Sequence, residues 1–185
     1  MKSKIVLTAI ASLALWASTV AIAENFTIED FQSQPEARWQ FFADTVMGGV
    51  STGQVEFVQA NGDAYARLTG RVSTENNGGF IQFRMELLRS LPKDAVGLRL
   101  VVRGNDQRYF VHVRTSGMLL PWQYYQVGFD TTRQWSEVRL PFTAFKASSR
   151  LLRTKPKPET IRSIGIVAFG RNHQAEIDVR EVSYY

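Results

Sequence analysis

Beyond residue 24 the apolar residues come in bursts of about five to eight, each closed by glycine, asparagine, aspartate or proline. Strands divided by turns have this rhythm, whereas a helix repeats its apolar residues every three or four positions over a longer stretch. No segment after the first 24 residues holds a helical period. The pattern predicts strands at Gly53–Val58, Ala64–Val72, Gly79–Met85, Gly97–Arg103, Tyr109–Thr115, Trp122–Phe129, Trp135–Pro141, Ile161–Phe169 and Ala175–Tyr184. Asn61-Gly62-Asp63 and Gly104-Asn105-Asp106 are hairpin signals between them. Short turns are expected near Leu87–Leu91 and Phe142–Phe145. The fold class is therefore all-β, an antiparallel sandwich or barrel, with residues 24–185 forming one domain.

Period-two parity assigns the faces of these strands. Leu98, Leu100 and Val102 point one way, and Arg99, Val101 and Arg103 the other. Ile81, Phe83 and Met85 oppose Phe80, Gln82 and Arg84, and Tyr109, Val111 and Val113 oppose Phe110, His112 and Arg114. Tyr125, Val127 and Phe129 are expected inside, with Tyr124 and Gln126 on the polar side. One face thus packs a core, and the other carries Gln82, Arg84, Arg99, Arg103, His112, Arg114, Tyr124 and Gln126, with Trp122 nearby. That surface reads either as a solvated exterior, which every sandwich has, or as a ligand platform, because arginine and aromatics are enriched where proteins recognise partners. Arginine rather than lysine offers planar, bidentate donors suited to carboxylates, sugars and carbonyls.

The amino terminus sets an address. Lys2 and Lys4 precede an uncharged stretch, Ile5 to Ala23, which ends in the small-x-small pattern Ala21-Ile22-Ala23 before Glu24. This reads as a secretory signal, with cleavage expected after Ala23 and a periplasmic product. An uncleaved membrane anchor is the rival reading, disfavoured by the short segment and by Thr8, Ser12, Ser18 and Thr19 within it. The formal charge of +5 falls to +3 for residues 24–185 once Lys2 and Lys4 are set aside. With the basic residues dispersed, nucleic acid is not an expected partner. There is no cysteine, so disulfides, thiolate metal sites and lipoprotein anchoring are excluded. No second long apolar run follows the signal, so no transmembrane segment is expected in the exported chain.

Catalytic constellations are sparse. His112 and His173 have no partner at metal-ligand spacing, and no Gly-x-Ser-x-Gly elbow occurs. Asp44 and Glu75 are paired carboxylates in principle, with structural hydrogen bonding the simpler role. An oxygen-rich calcium cluster of Asp44, Asn76 and Gly79 is the weaker option; no metal or cofactor is expected. The glycine pairs in Met47-Gly48-Gly49-Val50-Ser51 and Asn76-Asn77-Gly78-Gly79-Phe80 lack the spacing of a phosphate loop. They are read as supplying positive φ and close backbone approach at strand entries.

These segments carry a resemblance. Trp39 followed by Asp44-Thr45-Val46-Met47-Gly48-Gly49-Val50-Ser51 resembles the opening of the complex I intermediate-associated protein 30 family. In the family's order come Gly70 to Glu75-Asn76-Asn77-Gly78-Gly79-Phe80, then Gly97-Leu98 to Arg103-Gly104 and Tyr109. Trp135, Leu140-Pro141-Phe142 and Phe145, and Ile164-Gly165-Ile166 complete the series. Departures fall at Arg103-Gly104-Asn105-Asp106 and in the basic, proline-rich stretch Arg150 to Pro158.

The resemblance implies a galactose-binding-like jelly-roll sandwich and a non-enzymatic role. Mitochondrial members are assembly chaperones for respiratory complex I, and the fold recurs in carbohydrate-binding modules. It implies a protein partner or membrane complex, with carbohydrate as the alternative. For carbohydrate, Trp122, Tyr124 and Arg114 are the candidate contacts, since aromatic rings stack on sugar faces and arginine reads hydroxyls. The mitochondrial members work on the matrix side, which corresponds to the bacterial cytoplasm. An exported chain stands across the membrane from that client.

Overall fold

The computed structural model describes residues 25–60 and 62–185, so residues 1–24, where a cleaved signal is expected, and Asn61 lie outside the described residues. The strands are β1 (Phe26–Glu29), β2 (Trp39–Ala43), β3 (Thr52–Ala60), β4 (Asp63–Val72), β5 (Phe80–Glu86) and β6 (Gly97–Gly104). They continue as β7 (Arg108–Thr115), β8 (Tyr125–Asp130), β9 (Ser136–Pro141), β10 (Lys146–Ala147), β11 (Ile161–Phe169) and β12 (His173–Tyr184). All pairings are antiparallel. One sheet runs β3-β4-β12-β6-β9, with β1 added along β12; the other runs β10-β8-β7-β11-β5-β2. Strands late in the chain, β11 and β12, occupy central places in the two sheets.

Each of the nine expected strands is present, and the boundaries move most at β8, which begins at Tyr125 rather than Trp122. Trp122 lies in a turn, because Pro121 just before it cannot donate to a ladder. The two-residue β10 is too short for a pattern to reveal, and β2, Trp-Gln-Phe-Phe-Ala, is apolar on both parities. A 3-10 turn forms at Phe142–Ala144 as expected, while Leu87–Leu91 forms only a bend ahead of Pro92. Among the described residues there is no α-helix, and no helix is long and apolar enough to cross a membrane.

The core lies between the sheets, and the parity expected of β5, β6, β7 and β8 holds, while β11 and β12 bury residues of both parities. Leu98, Leu100 and Val102 from one sheet meet Phe83, Tyr109, Val111, Val113, Ile164 and Ile166 from the other, all buried. Burying a Leu, Ile, Val or Phe side chain is worth about 1.5–3 kcal/mol, so this layer is the main source of stability. Tyr109 brings a hydroxyl into it, which donates to Asn105 Oδ1 at 2.7 Å and accepts the Glu176 N–H at 2.8 Å.

A buried carboxylate, Glu29, closes one end of the core. Arg38 donates to it from Nε at 2.9 Å and Nη2 at 2.7 Å, Trp39 Nε1 donates at 3.0 Å, and the Phe31 N–H at 2.8 Å. This contact explains why Trp39 is a large aromatic with a donor on its edge rather than another apolar residue.

Candidate functional site

The Asp44 motif is a structural knot. Its carboxylate is fully buried and accepts the Ser51 N–H at 2.9 Å, the Ser51 hydroxyl at 2.5 Å, the Gly79 N–H at 2.5 Å and the Phe80 N–H at 3.2 Å. Burial pushes the Asp44 carboxyl up, but the Ser51 hydroxyl and the three backbone donors outweigh it and hold it below the ordinary carboxylate range. The two glycine-rich loops are thereby stitched to one side chain. A Cβ on Gly49 or Gly78 would overlap this carboxylate, and Gly48 (φ +87°) and Gly79 (φ +130°) take conformations that suit glycine.

A carboxylate ringed by four donors is the opposite of a cation ligand. Asp44 therefore does not join Asn76 and Gly79 in a calcium cluster. Nor does it pair with Glu75, whose side chain is exposed. Met47 is exposed on the turn tip, Trp135 is half-buried, and Pro141 and Phe142 close the end of β9.

The polar residues singled out by parity divide between two faces. Gln82, Arg84, His112, Arg114 and Gln126 come together on the outer face of the second sheet. Arg99 and Arg103 do not: they lie on β6, in the other sheet, and face away from them. Parity separates inside from outside but does not say which sheet a strand joins, and β11, not β6, stands between β5 and β7.

On that second sheet two rows run across the strands. One is Gln40, Arg84, Gly165, His112, Gln126 and Lys146; the next is Phe42, Gln82, Val167, Phe110 and Gly128. Gly165 lets Gln82 and Arg84 lie low over the sheet, since a Cβ there would come within 3.0 Å of Gln82 Oε1. The Arg84 guanidinium rests over the Phe42 ring at 4.6 Å. Tyr124, just outside β8, stacks on His112 with centroids 4.1 Å apart and planes within 10°. His112 also meets Phe169 edge-on at 5.5 Å, and Phe169 meets Phe110 at 5.8 Å. Phe42, Phe110 and Phe169 thus extend the polar face, and Phe42 was hidden because β2 itself was not foreseen.

His112 sits under this aromatic cover with Nε2 buried and unbonded, as is Oε1 of its cross-strand neighbour Gln126. Burial pushes the imidazole down to about 4, with the nearby Gln126 side chain pulling weakly the other way although no hydrogen bond is formed between them. The ring is neutral at pH 7 and a poor proton acceptor. Arg114 is committed elsewhere: Nη1 donates to the Pro121 carbonyl at 2.8 Å and Nη2 to the Leu120 carbonyl at 3.1 Å, fixing the β7–β8 loop. Below it, Arg84, Glu86, Ser163 and the loop residues Ser116 to Leu119 line an open cleft of about 520 Å³.

The outer face of the first sheet is a locked ion-pair network. Asp178, buried, accepts Arg67 Nε at 2.7 Å and Nη2 at 2.9 Å together with Arg103 Nε at 2.7 Å. Arg103 stacks over Trp135 at 4.6 Å, and Arg99 is held by Glu137 at 2.7 Å and Glu181 at 2.5 Å. These arginines have their carboxylates already, which accounts for their type without a ligand.

Two antiparallel sheets packed face to face in this way form a β-sandwich. The sequence pattern of the complex I intermediate-associated protein 30 family matches residues 29–179, and the chain belongs to that family. No sequence among curated proteins matches it. Similar solved structures include a family 11 carbohydrate-binding module of a cellulosomal cellulase of Clostridium thermocellum. It has a TM-score of 0.67 at 12% identity, over 89% of this chain and 95% of that one. The module from the same organism in complex with a β-1,3-1,4-mixed-linked tetrasaccharide gives 0.65 at 12%, over 86% and 94%. A family 30 carbohydrate-binding module of another of its cellulosomal cellulases gives 0.53 at 10%, over 74% and 90%. At these identities the likeness shows the fold alone.

Proposed function

We propose that this chain is an exported, non-catalytic binding protein of the bacterial envelope. In this reading it holds a protein partner of a membrane assembly against the outer face of β5, β11, β7 and β8. The observation that carries it is the gathering of Arg84, His112, Tyr124 and Gln126 with Phe42, Phe110 and Phe169 on one sheet face. Arginine and aromatic side chains packed on a stiff sheet give large contact area for little lost side-chain freedom. Membership of a family named for association with a complex I intermediate supports an assembly role. The leader, read as cleaved after Ala23, assigns the protein to the periplasm, away from the matrix-side client. The non-catalytic reading is supported by the His112 imidazole, which burial holds neutral, and by Arg114, which braces the β7–β8 loop.

A second reading puts a polysaccharide on the same face, favoured by the carbohydrate-binding modules among the similar structures, one of them holding a mixed-linkage tetrasaccharide. Affinity purification from the native membrane fraction separates the two. We expect a stoichiometric protein partner whose capture falls at least about tenfold in Arg84→Ala and Tyr124→Ala, the loss expected when a central arginine or aromatic anchor is truncated. Retardation in a mixed-linkage glucan gel, lost in the same variants, would transfer the assignment to carbohydrate. Equal capture by all three proteins would remove this face from consideration.

A further inference from the structure

One end of the sandwich carries apolar tips that its core does not use. Leu88, on the β5–β6 connection, is 91% exposed; Leu119, on the β7–β8 loop, is 88%; Leu151, between β10 and β11, is 84%. Trp122, three residues beyond Leu119 on the same loop, is 60% exposed. Single exposed leucines are ordinary, but here neighbouring loops at one end each present one. β5, β11 and β7 are adjacent, and the pairings Ser163 with Glu86 and Ile161 with Thr115 put the three connections at the same end.

The loops are also braced to one another. The Ser148 hydroxyl donates to the Trp122 carbonyl at 2.8 Å and accepts the Tyr124 N–H at 3.0 Å. The Ser116 N–H donates to the Thr160 carbonyl at 2.8 Å, and Arg162 Nη1 to Ser90 Oγ at 2.5 Å. Arg114 fixes the backbone of residues 118–121 from behind. The tips are therefore held in place before any partner arrives, which lowers the entropy lost on docking.

Charge is segregated to the same end. Residues 87–96, 116–124 and 146–160 contain seven lysines and arginines against Asp94 and Glu159. That is a net +5, while residues 24–185 together carry only +3, so the rest of the molecule is net acidic. The cations flank the apolar tips: Arg89 follows Leu88, and Arg150 and Arg153 bracket Leu151 and Leu152. Exposed leucines and a tryptophan in a basic setting match the layering of an anionic bilayer, where acyl chains lie beneath a negative headgroup plane.

We infer that this end docks peripherally on an anionic membrane surface, with Leu88, Leu119, Leu151 and Trp122 entering the interface and the surrounding cations meeting the headgroups. The contact stands the sheets on end, so the outer face of β5, β11, β7 and β8 rises beside the bilayer rather than lying on it. The site is separate from that face, and one of its loops includes Arg150 to Pro158, a stretch where the chain departs from the family pattern.

The test is co-sedimentation of the processed protein, purified from its own cells, with vesicles of phosphatidylcholine alone or with about one-quarter phosphatidylglycerol. We expect binding to the anionic vesicles only, falling with added salt and accompanied by a blue shift of tryptophan emission that Trp122→Phe removes. The exposed triple change Leu88→Ser, Leu119→Ser and Leu151→Ser should weaken binding by more than about tenfold without altering the fold. Arg150→Gln with Arg153→Gln should weaken it by about twenty-fivefold at low salt, roughly fivefold for each cation. Equal binding to neutral and anionic vesicles, or no binding to either, would overturn the inference. So would full binding by the serine variant, which would make the end a site for an acidic polymer instead of a bilayer.

Discussion

His112 shows how far a residue's chemistry is decided by a neighbour outside its own strand. Parity placed it on the outer face, but its burial, to which Tyr124 and Phe169 contribute, is what holds it neutral. Its folded value, about 4, lies below the ordinary 6.5. Between those limits the unfolded chain binds the proton and the folded one does not, so stability is complete above about pH 6.5 and declines as pH falls toward 4. The expected loss between pH 7 and pH 5 is about 2 kcal/mol, as an upper figure, measured as a shift in urea midpoint. His112→Phe should flatten that slope, and an unchanged pH dependence in this variant would show that the ring is not the group responsible. Arg114 teaches the same lesson: its type and face were readable, but its use as a brace for residues 118–121 was not, because carbonyls in a loop leave no mark in a sequence.

Among the elements, the loops around Asp44 were the most legible. Two glycine pairs beside strand entries announced tight backbone approach, and the structure supplies the object approached, a single carboxylate. Gly78→Ala would force that carboxylate aside and cost about 2–4 kcal/mol through donors left unpaired. Gly48→Ala meets no atom within 4 Å, so it should cost only the left-handed backbone penalty, about 1–2 kcal/mol. Equal melting temperatures for the two variants would sink this account of the knot. The strands were legible where alternation or turn residues marked them and not where β2 carries apolar residues on both faces or β10 spans two residues. Least legible was sheet membership: nothing local to Arg99 or Arg103 says that β6 pairs with β12 and β9 rather than with β7. Glu29 was missed for a similar reason, since its partner Arg38 is set by a fold in the chain and not by a motif.

For the whole molecule, β11 and β12 join halves that the earlier strands cannot join alone. β11 links β7–β8 to β5–β2, and β12 links β3–β4 to β6–β9 while also receiving β1. Truncation after Thr160 should therefore abolish the cooperative unfolding transition and leave a chain open to proteolysis, whereas trimming Tyr185 alone should keep the transition. A cooperative transition in the truncated chain would refute this dependence. The same arrangement governs timing. Local hairpins such as β3–β4 can form early, but each sheet remains two unjoined pieces until residues 161–184 are available, and such long-range pairings form slowly. Were the chain exported, as proposed above, that delay would serve it: the order of strands would act as a built-in latch, released only when the final segment had come through.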